Sequence, residues 1–355
     1  MPSPRDRPIA LTMGEPAGIG PDLAIACWRH WREAGLPPFY VIADPAVLAD
    51  RARRMGLSIP LVETTPDAAF DSYSRGLPVV PLGPVGPVQP GHPSPSTAAG
   101  VIAAIDTAID HVRSGIAAAM VTNPIQKKTL YEAGFAHPGH TEYLAARAGE
   151  LDETTYHPVM MLAGSELRVV PVTVHIPVAR IALELTSELI VRTGEIVARD
   201  LATRFGIARP RLAVAGLNPH AGENGSIGRE DEEVVRPAVE TLVARGILAE
   251  GPLPADTMFH AAARARYDVA LAMYHDQALI PAKTLGFDDT VNVTLGLPFV
   301  RTSPDHGTAL DIAGSGVARP DSLIAALRLA RQMAPRNTDA AIAGGKEAEA
   351  RKTAI

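Results

Sequence analysis

The sequence is poor in cysteine. Cys27 is the single cysteine among 355 residues, so no disulfide can form within the chain. Disulfides are typical of oxidising compartments, and a chain without them fits a reducing one. Cys27 lies in the apolar segment LAIACWRHW, which favours a buried helical position over a reactive nucleophile.

The sequence also lacks an excess of basic charge. It carries 33 basic and 39 acidic residues, for a formal net charge of -6. Proteins that bind nucleic acid need cationic surface for the phosphates, so nucleic acid is not an expected partner. The first residues, MPSPRDRP, contain no apolar core of a secretion signal, and no apolar run reaches membrane-spanning length. We therefore expect a cytoplasmic protein without a membrane partner.

Short apolar runs alternate with helix-period stretches along a chain long enough for two domains. The runs predicted as strands are IALTM, FYVIA, AAAMVT, VVPVTV, RLAVAGL, DVALAMY and TVNVTL. The helical patterns lie near residues 21–34, 96–114, 186–205, 229–245, 275–285 and 320–333. This alternation predicts an α/β architecture with a largely parallel core sheet. The apolar segments within 158–175 leave no room for a helix between them and predict an antiparallel hairpin.

Three histidines follow predicted strands directly: His175, His220 and His275. In open α/β sheets ligands bind outside the carboxyl ends of the strands, so these imidazoles are expected to converge. Three neutral imidazoles form a divalent-metal site that leaves positions open for a substrate. The alternative is that each is an ordinary core or surface histidine, and the spacing alone does not separate the two interpretations.

Two carboxylates accompany these histidines in the sequence. Asp276 directly follows His275, and Asp256 lies in the segment GPLPADTMF. Either one would orient a metal-bound histidine or carry a proton. For Asp256 a helix N-cap is an equally good interpretation, because PADTMFHAAA resembles the start of a helix.

Further cationic and amide side chains favour an anionic substrate. His140 and Thr141 stand at the start of a predicted helix, where unpaired N–H groups attract anions. Lys283, Asn292 and Arg301 lie further along, around the last predicted strand. Together they suit a phosphorylated or carboxylated small substrate. The alternatives are that Thr141 merely caps its helix and that the cations are solvated.

Two segments of the sequence are rich in glycine. MGEPAGIGP places its glycines in the order G-x-x-x-G-x-G, whereas the Rossmann dinucleotide loop is G-x-G-x-x-G. It therefore predicts a tight strand-to-helix turn, with Pro21 in the first helical turn. The segment 306–330, which includes Gly307 and Gly314, is either a ligand-binding wall or an ordinary connection.

Several of these segments occur together in one order. They are GEPAGIGP, VTNPIQK, GHTEYLA, GLNPHAGE, YHDQALIPAK and VRTSPDHGTALDIAG. In this order they closely resemble the 4-hydroxythreonine-4-phosphate dehydrogenase family, from about residue 8 to 334. The loop HGTALDIAGSGVARP also resembles the adenosine-binding loop of isopropylmalate and isocitrate dehydrogenases.

The resemblance implies a two-domain isopropylmalate-dehydrogenase-like α/β fold and not a Rossmann domain. It implies a first domain of residues 8–125 plus 286–335 with the cofactor-binding loop. The second domain, residues 126–285, would carry the metal site and the dimer interface, and residues 336–355 would form a tail. The family works as a homodimer whose active site lies at the subunit interface.

The resemblance also implies cofactors and site residues. The cofactors are NAD or NADP and a divalent metal (zinc, magnesium or cobalt). The metal ligands would be His175, His220 and His275, the last supplied by the partner subunit. The substrate contacts would be His140, Thr141, Lys283, Asn292 and Arg301. Lys283 would hold the substrate anion or carry a proton, and Asp256 and Asp276 stay candidates for proton transfer from the sequence pattern. By analogy with the wider superfamily, the cofactor contacts would be Gly307, Asp311 and Gly314. Asp311 favours NAD, because a carboxylate there would repel a 2′-phosphate.

The reaction implied is the oxidation of 4-(phosphooxy)-L-threonine to 2-amino-3-oxo-4-phosphooxybutanoate. This product would lose CO₂ to give 3-amino-2-oxopropyl phosphate, in pyridoxine 5′-phosphate biosynthesis. One alternative is a related dehydrogenase of D-threonate or D-erythronate 4-phosphate, which would need the same metal histidines. Another is a non-catalytic metabolite-binding protein, which would not need metal, substrate and cofactor residues together.

Overall fold

The computed structural model describes residues 7–334, and the predicted tail 336–355 lies outside the described residues. The strands are β1 (Ile9–Thr12), β2 (Phe39–Ala43), β3 (Leu61–Glu63), β4 (Leu77–Pro81), β5 (Met120–Thr122), β6 (Val159–Ala163), β7 (Arg168–Thr173), β8 (Arg211–Ala215), β9 (Leu248–Leu253), β10 (Val269–Tyr274), β11 (Val291–Leu295) and β12 (Arg301–Pro304). The α-helices are α1 (Gly20–Arg29), α2 (Pro45–Arg54), α3 (Ala69–Ser72), α4 (Ala98–Arg113), α5 (Lys127–Glu132), α6 (His140–Asp152), α7 (Ile181–Glu184), α8 (Ser187–Arg204), α9 (Arg236–Ala244), α10 (Ala261–Arg264), α11 (His275–Leu285) and α12 (Asp321–Met333).

The described chain divides into two compact units. Unit 1 contains residues 7–154 and 298–334, and unit 2 contains residues 155–297. The chain passes from unit 1 to unit 2 after residue 154 and returns to unit 1 after residue 297. Both positions come later in the sequence than the expected domain boundaries, which follow residues 125 and 285. His140 and Arg301 therefore belong to unit 1, whereas Asn292 belongs to unit 2.

Unit 1 is built on a parallel sheet in the order β3-β4-β2-β1-β5-β12. β1 and β2 are buried along their whole length, as expected for parallel strands that helices cover on both faces. Cys27 lies on α1 with 0% exposure, so its predicted buried helical position is confirmed. Burial raises the pKa of this thiol, which keeps it protonated and unreactive.

Unit 2 has a mixed sheet in the order β11-β6-β7-β10-β8-β9. β7, β10, β8 and β9 run parallel, whereas β6 is antiparallel to both β7 and β11. The pairing of Leu162 with Val169 confirms the antiparallel hairpin predicted within residues 158–175. Helix α11 packs against β7 and β10 over a core that includes Ala270 and Ala278.

The mostly parallel α/β architecture is confirmed, and the predicted apolar runs correspond to β1, β2, β5, β7, β8, β10 and β11. Helix α2 was missed, although Asp44 accepts a hydrogen bond from the backbone N–H of Ala46 at its start. Strands β4 and β12 were missed because they contain proline and polar residues. Among the helices of residues 7–334, none combines the length and hydropathy of a membrane span.

Candidate functional site

His140 opens helix α6 and has a buried ring nitrogen that lacks a hydrogen bond. The residue as a whole is half-buried, but its Nε2 atom is buried with no partner among residues 7–334. Burial lowers the pKa of His140 well below its usual value, and the charges of Arg301 and Lys127 lower it further. At neutral pH the imidazole is therefore uncharged, and its buried nitrogen is available to a ligand.

Arg301 places a buried positive charge in the same unit. Its side chain is 4% exposed, and its Nε and Nη2 atoms donate to the Thr122 hydroxyl at 3.2 and 2.7 Å. Burial lowers the pKa of Arg301 to about 10, with Glu142 opposing the shift, so the guanidinium stays charged at neutral pH. A buried guanidinium near a helix N-terminus favours a doubly charged anion such as phosphate.

Thr141 and Lys127 complete this part of unit 1. The N-cap of α6 is Gly139 without a capping side chain, so the interpretation of Thr141 as a helix cap is wrong. A Cβ atom at Gly139 would lie 3.3 Å from the Lys127 ammonium and 3.1 Å from a Glu142 carboxylate oxygen. Lys127 was not among the predicted site residues, because it lies in the motif VTNPIQK, well before His140 in the sequence and with no periodic relation to α6.

His175 and His275 lie next to each other in unit 2. Their ring centroids are 5.7 Å apart, and both line a small cleft at the carboxyl ends of β7 and β10. The two strand ends are in register, and the Thr173 hydroxyl donates to the Met273 carbonyl at 2.7 Å. The structure therefore brings two of the three predicted metal ligands together.

His220 follows β8 and is exposed within the turn Pro219–Gly225. Its φ is 54°, and that of His175 is 51°; such values are rare for residues other than glycine and concentrate at functional sites. Across residues 7–334, no three histidine, cysteine, aspartate or glutamate side chains are close enough to hold a metal. One chain, as far as it is described, does not assemble a three-ligand set by itself.

Asp276 contacts a predicted ligand directly. Its carboxylate lies 2.7 Å from Nδ1 of His275. With Nδ1 donating to this carboxylate, Nε2 carries no proton and has the lone pair that a metal requires.

The other predicted proton-transfer residues lie elsewhere in unit 2. Asp256 is exposed within the 3₁₀ turn Ala255–Thr257, and the next helix begins at Ala261. The interpretation of Asp256 as a helix N-cap is therefore wrong. Lys283 lies in the last turn of α11, with Nζ 5.8 Å from the centre of the Phe287 ring.

Like His140, Asn292 on β11 has a buried side-chain atom that lacks a hydrogen bond. Its Oδ1 is buried and has no hydrogen-bond partner among the described residues. An unpaired buried amide oxygen costs free energy unless a ligand or a water molecule reaches it. This observation is compatible with the predicted substrate contact.

The loop that carries the predicted cofactor contacts is open to solvent. Asp311 is exposed on the 3₁₀ turn Leu310–Ile312, and Gly307 has no neighbouring atoms where a side chain would stand. Gly314 has a φ of 78°, and its N–H donates to the Asp22 carboxylate at 2.8 Å. The loop thus exposes Asp311 to solvent, and the positive φ of Gly314 sets the course of the backbone that follows it.

The turn MGEPAGIGP is tightly packed, as predicted. A Cβ atom would lie 2.6 Å from the Pro124 carbonyl at Gly14 and 2.4 Å from the Met13 carbonyl at Gly20. Glu15, which was not among the predicted site residues, is buried in this turn and accepts a hydrogen bond from the Ala17 N–H at 3.0 Å. Burial raises the pKa of Glu15.

Comparison with known proteins decides the family. The chain matches the family described as pyridoxal phosphate biosynthetic protein PdxA over residues 36–330. It belongs to the PdxA family. A 4-hydroxythreonine-4-phosphate dehydrogenase from Methylorubrum populi is 58% identical over 333 residues, covering 93% of this chain and 95% of that protein. A 4-hydroxythreonine-4-phosphate dehydrogenase from Xanthobacter autotrophicus is 56% identical over 327 residues, which cover 92% of this chain and 93% of that protein.

Solved PdxA structures share the fold. The crystal structure of 4-hydroxythreonine-4-phosphate dehydrogenase from Klebsiella pneumoniae superposes with a TM-score of 0.81 at 37% identity. It covers 92% of this chain and 99% of that one. These likenesses confirm the predicted family, the fold outside the Rossmann class and the assignment as an oxidoreductase.

Proposed function

We propose that this PdxA-family chain catalyses the NAD(P)-linked oxidation of 4-(phosphooxy)-L-threonine to 2-amino-3-oxo-4-phosphooxybutanoate. Loss of CO₂ from that product gives 3-amino-2-oxopropyl phosphate, within pyridoxine 5′-phosphate biosynthesis. The observation that carries the proposal, beside membership of the family, is the unsatisfied Nε2 of His140 at a helix N-terminus near the buried charge of Arg301.

The side chains and backbone groups around His140 in unit 1 offer the positive charge and the hydrogen-bond donors that a phosphate requires. Arg301 supplies charge that the Thr122 hydroxyl holds in place, and the first turn of α6 supplies N–H donors. His140 is neutral, so its Nε2 would donate a hydrogen bond to the phosphate without adding charge next to Arg301. Thr141 and Lys127 supply a hydroxyl and a further ammonium to the same anion.

In unit 2 the predicted substrate contacts are Lys283 and Asn292. The Asn292 amide has a buried oxygen that would accept a hydrogen bond from the substrate. Lys283 would hold the substrate anion or carry a proton at Nζ. Asp256, exposed in its turn, remains a predicted proton carrier.

We further propose that His175, His220 and His275 hold a divalent metal, zinc, magnesium or cobalt. Their imidazoles fit such an ion, and the Asp276 carboxylate fixes the proton of His275 on Nδ1. When bound, the metal supplies Lewis-acid activation of the hydroxyl that is oxidised. Asp276 acts through His275 and is a positioning residue in this scheme.

The ligand set is proposed to combine two subunits of a homodimer, with His275 supplied by the partner, as the family resemblance implies. Large apolar side chains near the histidines support an interface there. Val178 lines the same cleft with 78% exposure, Leu183 on α7 is 75% exposed and Ile280 on α11 is 64% exposed. Exposed apolar side chains support an association surface where they form a contiguous patch, as these three would in the proposed homodimer.

For the cofactor we propose contacts from Gly307, Asp311 and Gly314, with NAD preferred to NADP. The exposed Asp311 carboxylate suits ribose hydroxyls and would repel a 2′-phosphate. The cytoplasmic location remains a prediction of the sequence.

The alternative substrates are D-threonate and D-erythronate 4-phosphate, because they offer the same phosphate and a secondary hydroxyl. Steady-state assays with all three acids, at equal enzyme and metal concentration, separate the possibilities. The proposal predicts the highest kcat/KM for 4-(phosphooxy)-L-threonine. A higher kcat/KM for either sugar acid phosphate would assign the chain to the alternative function.

A further inference from the structure

Unit 1 contains a buried ion pair that the catalytic proposal does not use. Asp22 on α1 and Arg51 on α2 are each 1% exposed, and their carboxylate and guanidinium groups are in contact. Arg51 is among the largest fully buried side chains of the described residues. Such a pair is costly to desolvate, so an apolar pair would serve a purely structural purpose at least as well.

The pair also holds backbone groups from two loops. Arg51 donates to the carbonyls of Gly18 at 2.6 Å and Pro16 at 2.8 Å, both in the turn after β1. Asp22 accepts a hydrogen bond from the backbone N–H of Gly314 at 2.8 Å. Gly314 lies in the loop of residues 307–316. The planar guanidinium is needed here, because it donates to a carboxylate and two carbonyls at once.

Direct backbone contacts join the same two loops. The Ile19 N–H donates to the Thr308 carbonyl at 3.0 Å. A Cβ atom at Gly18 would lie 2.9 Å from that carbonyl oxygen, so a larger residue would push the loops apart. The turn after β1 and the 307–316 loop therefore form one packed layer, and the ion pair contacts the backbone of both.

A third segment joins this layer. The Gly91 N–H donates to the Ala17 carbonyl at 2.8 Å, and a Cβ atom at Gly91 would lie 3.1 Å from the Leu310 carbonyl. Leu310 directly precedes Asp311, the predicted cofactor contact. A shift of the turn is thus transmitted to the backbone that presents Asp311.

We propose that Asp22 and Arg51 are positioning residues that fix the 307–316 loop in the conformation that binds the nicotinamide cofactor. This inference rests on the proposed function, in which that loop contacts NAD(P). Neither side chain touches the cofactor, and both act through the backbone of Gly314, Gly18 and Pro16. The turn GEPAGIGP then links Arg51 to the cofactor loop, because Arg51 binds carbonyls of the turn and the turn also binds the loop backbone.

The test compares Arg51→Met, Arg51→Lys and Asp22→Asn with the wild-type protein. Arg113→Met is the matched control, because Arg113 forms a part-buried ion pair with Asp152 in the same unit, remote in sequence from the loop. Three quantities are measured: NAD affinity by calorimetry, KM for each substrate, and hydrogen exchange of the 307–316 backbone amides.

Arg51→Met is expected to weaken NAD binding and raise KM for NAD by about tenfold or more, since small displacements of binding groups are costly. KM for 4-(phosphooxy)-L-threonine is expected to stay within about twofold, and exchange in 307–316 to accelerate. Arg51→Lys retains the charge but not the three contacts, so it recovers part of the affinity. Arg113→Met leaves all three readouts unchanged.

Unchanged NAD affinity and unchanged exchange in the Arg51 variants would overturn the inference. Equal losses for both substrates would also overturn it, because they indicate general destabilisation. If Arg51→Met does not fold, Arg51→Lys and Asp22→Asn decide by the same criteria. A wild-type chain that binds neither NAD nor NADP would overturn the proposed cofactor role, whereas exchange in 307–316 still decides whether the pair positions the loop.

Discussion

The imidazole rings of His175 and His275 lie 5.7 Å apart, centre to centre, at the ends of two neighbouring parallel strands. Their separation in the sequence is 100 residues, and the parallel pairing of β7 with β10 is what brings them together. Ligands in α/β folds bind at this end of the strands. The two histidines of one chain therefore lie where a ligand is expected, and in the proposed homodimer they belong to two different metal sites.

Replacing Asp276 by Asn is expected to weaken metal binding by about 10- to 100-fold, as for other groups that orient a metal-bound histidine. The amide does not hold the proton on Nδ1 of His275 as the carboxylate does. Metal affinity is measured by competition with a chelator of known affinity. Asp288→Asn, an exposed change on the loop after α11, serves as control; equal affinity in wild type and Asp276→Asn would contradict the assignment.

Subunits carrying His175→Ala and subunits carrying His275→Ala are each expected to be inactive as homodimers. Mixed dimers would contain one intact site if each ligand set draws on both subunits, so partial activity should return. The measurement is NADH formation by heterodimers purified with two different affinity tags. Verified heterodimers without activity would argue against a shared metal site.

Lys127→Met is expected to raise KM for the phosphorylated substrate by about tenfold, because a charge-assisted hydrogen bond to the phosphate is lost. Lys128→Met is the matched control, since Lys128 is an exposed neighbour on the same helix that faces Glu132 at 3.9 Å. Initial rates at varied substrate concentration give both KM values. If the two variants have the same KM, Lys127 does not contact the anion.

His140 makes the stability of the fold depend on pH. Its pKa lies below the value of about 6.5 for a histidine in an unfolded chain. Between these two values the unfolded chain binds a proton that the folded chain excludes, so the free energy of unfolding rises with pH up to about 6.5. The stabilisation is lost as the pH falls through this window, where protonated His140 would face Arg301 and Lys127.

Urea unfolding at about pH 5.5 and pH 7.5 measures this dependence. His140→Gln is expected to reduce the difference in unfolding free energy between the two pH values, whereas His260→Gln, at an exposed histidine, is expected to retain it. An identical pH dependence in wild type and His140→Gln would show that His140 does not resist protonation.

The sequence predicts those parts of the fold and site that depend on local patterns. Strand β10 is an uninterrupted apolar run that ends at Tyr274, directly before His275, so both the strand and the histidine after it could be found. The hairpin of β6 and β7 was predictable because two apolar runs stand too close for a helix between them.

Other features depend on contacts between distant residues and leave no local pattern. Asp22 lies in a predicted helix and Arg51 in a helix that the sequence did not reveal, and their pairing depends on how α1 and α2 pack. The neutral state of His140 arises from burial beside Arg301, which is 161 residues away in the chain. Such groups become visible as functional candidates only when the tertiary structure is known.

Metal-dependent dehydrogenation of a phosphorylated substrate requires that NADH formation follow the metal content of the protein. NADH formation from 4-(phosphooxy)-L-threonine is followed in the wild-type protein as purified, after complete removal of metal, and after metal is restored. Turnover is expected to disappear with the metal and to return with zinc, magnesium or cobalt. Unchanged turnover in metal-free protein, or no turnover in metal-loaded protein, would contradict this expectation.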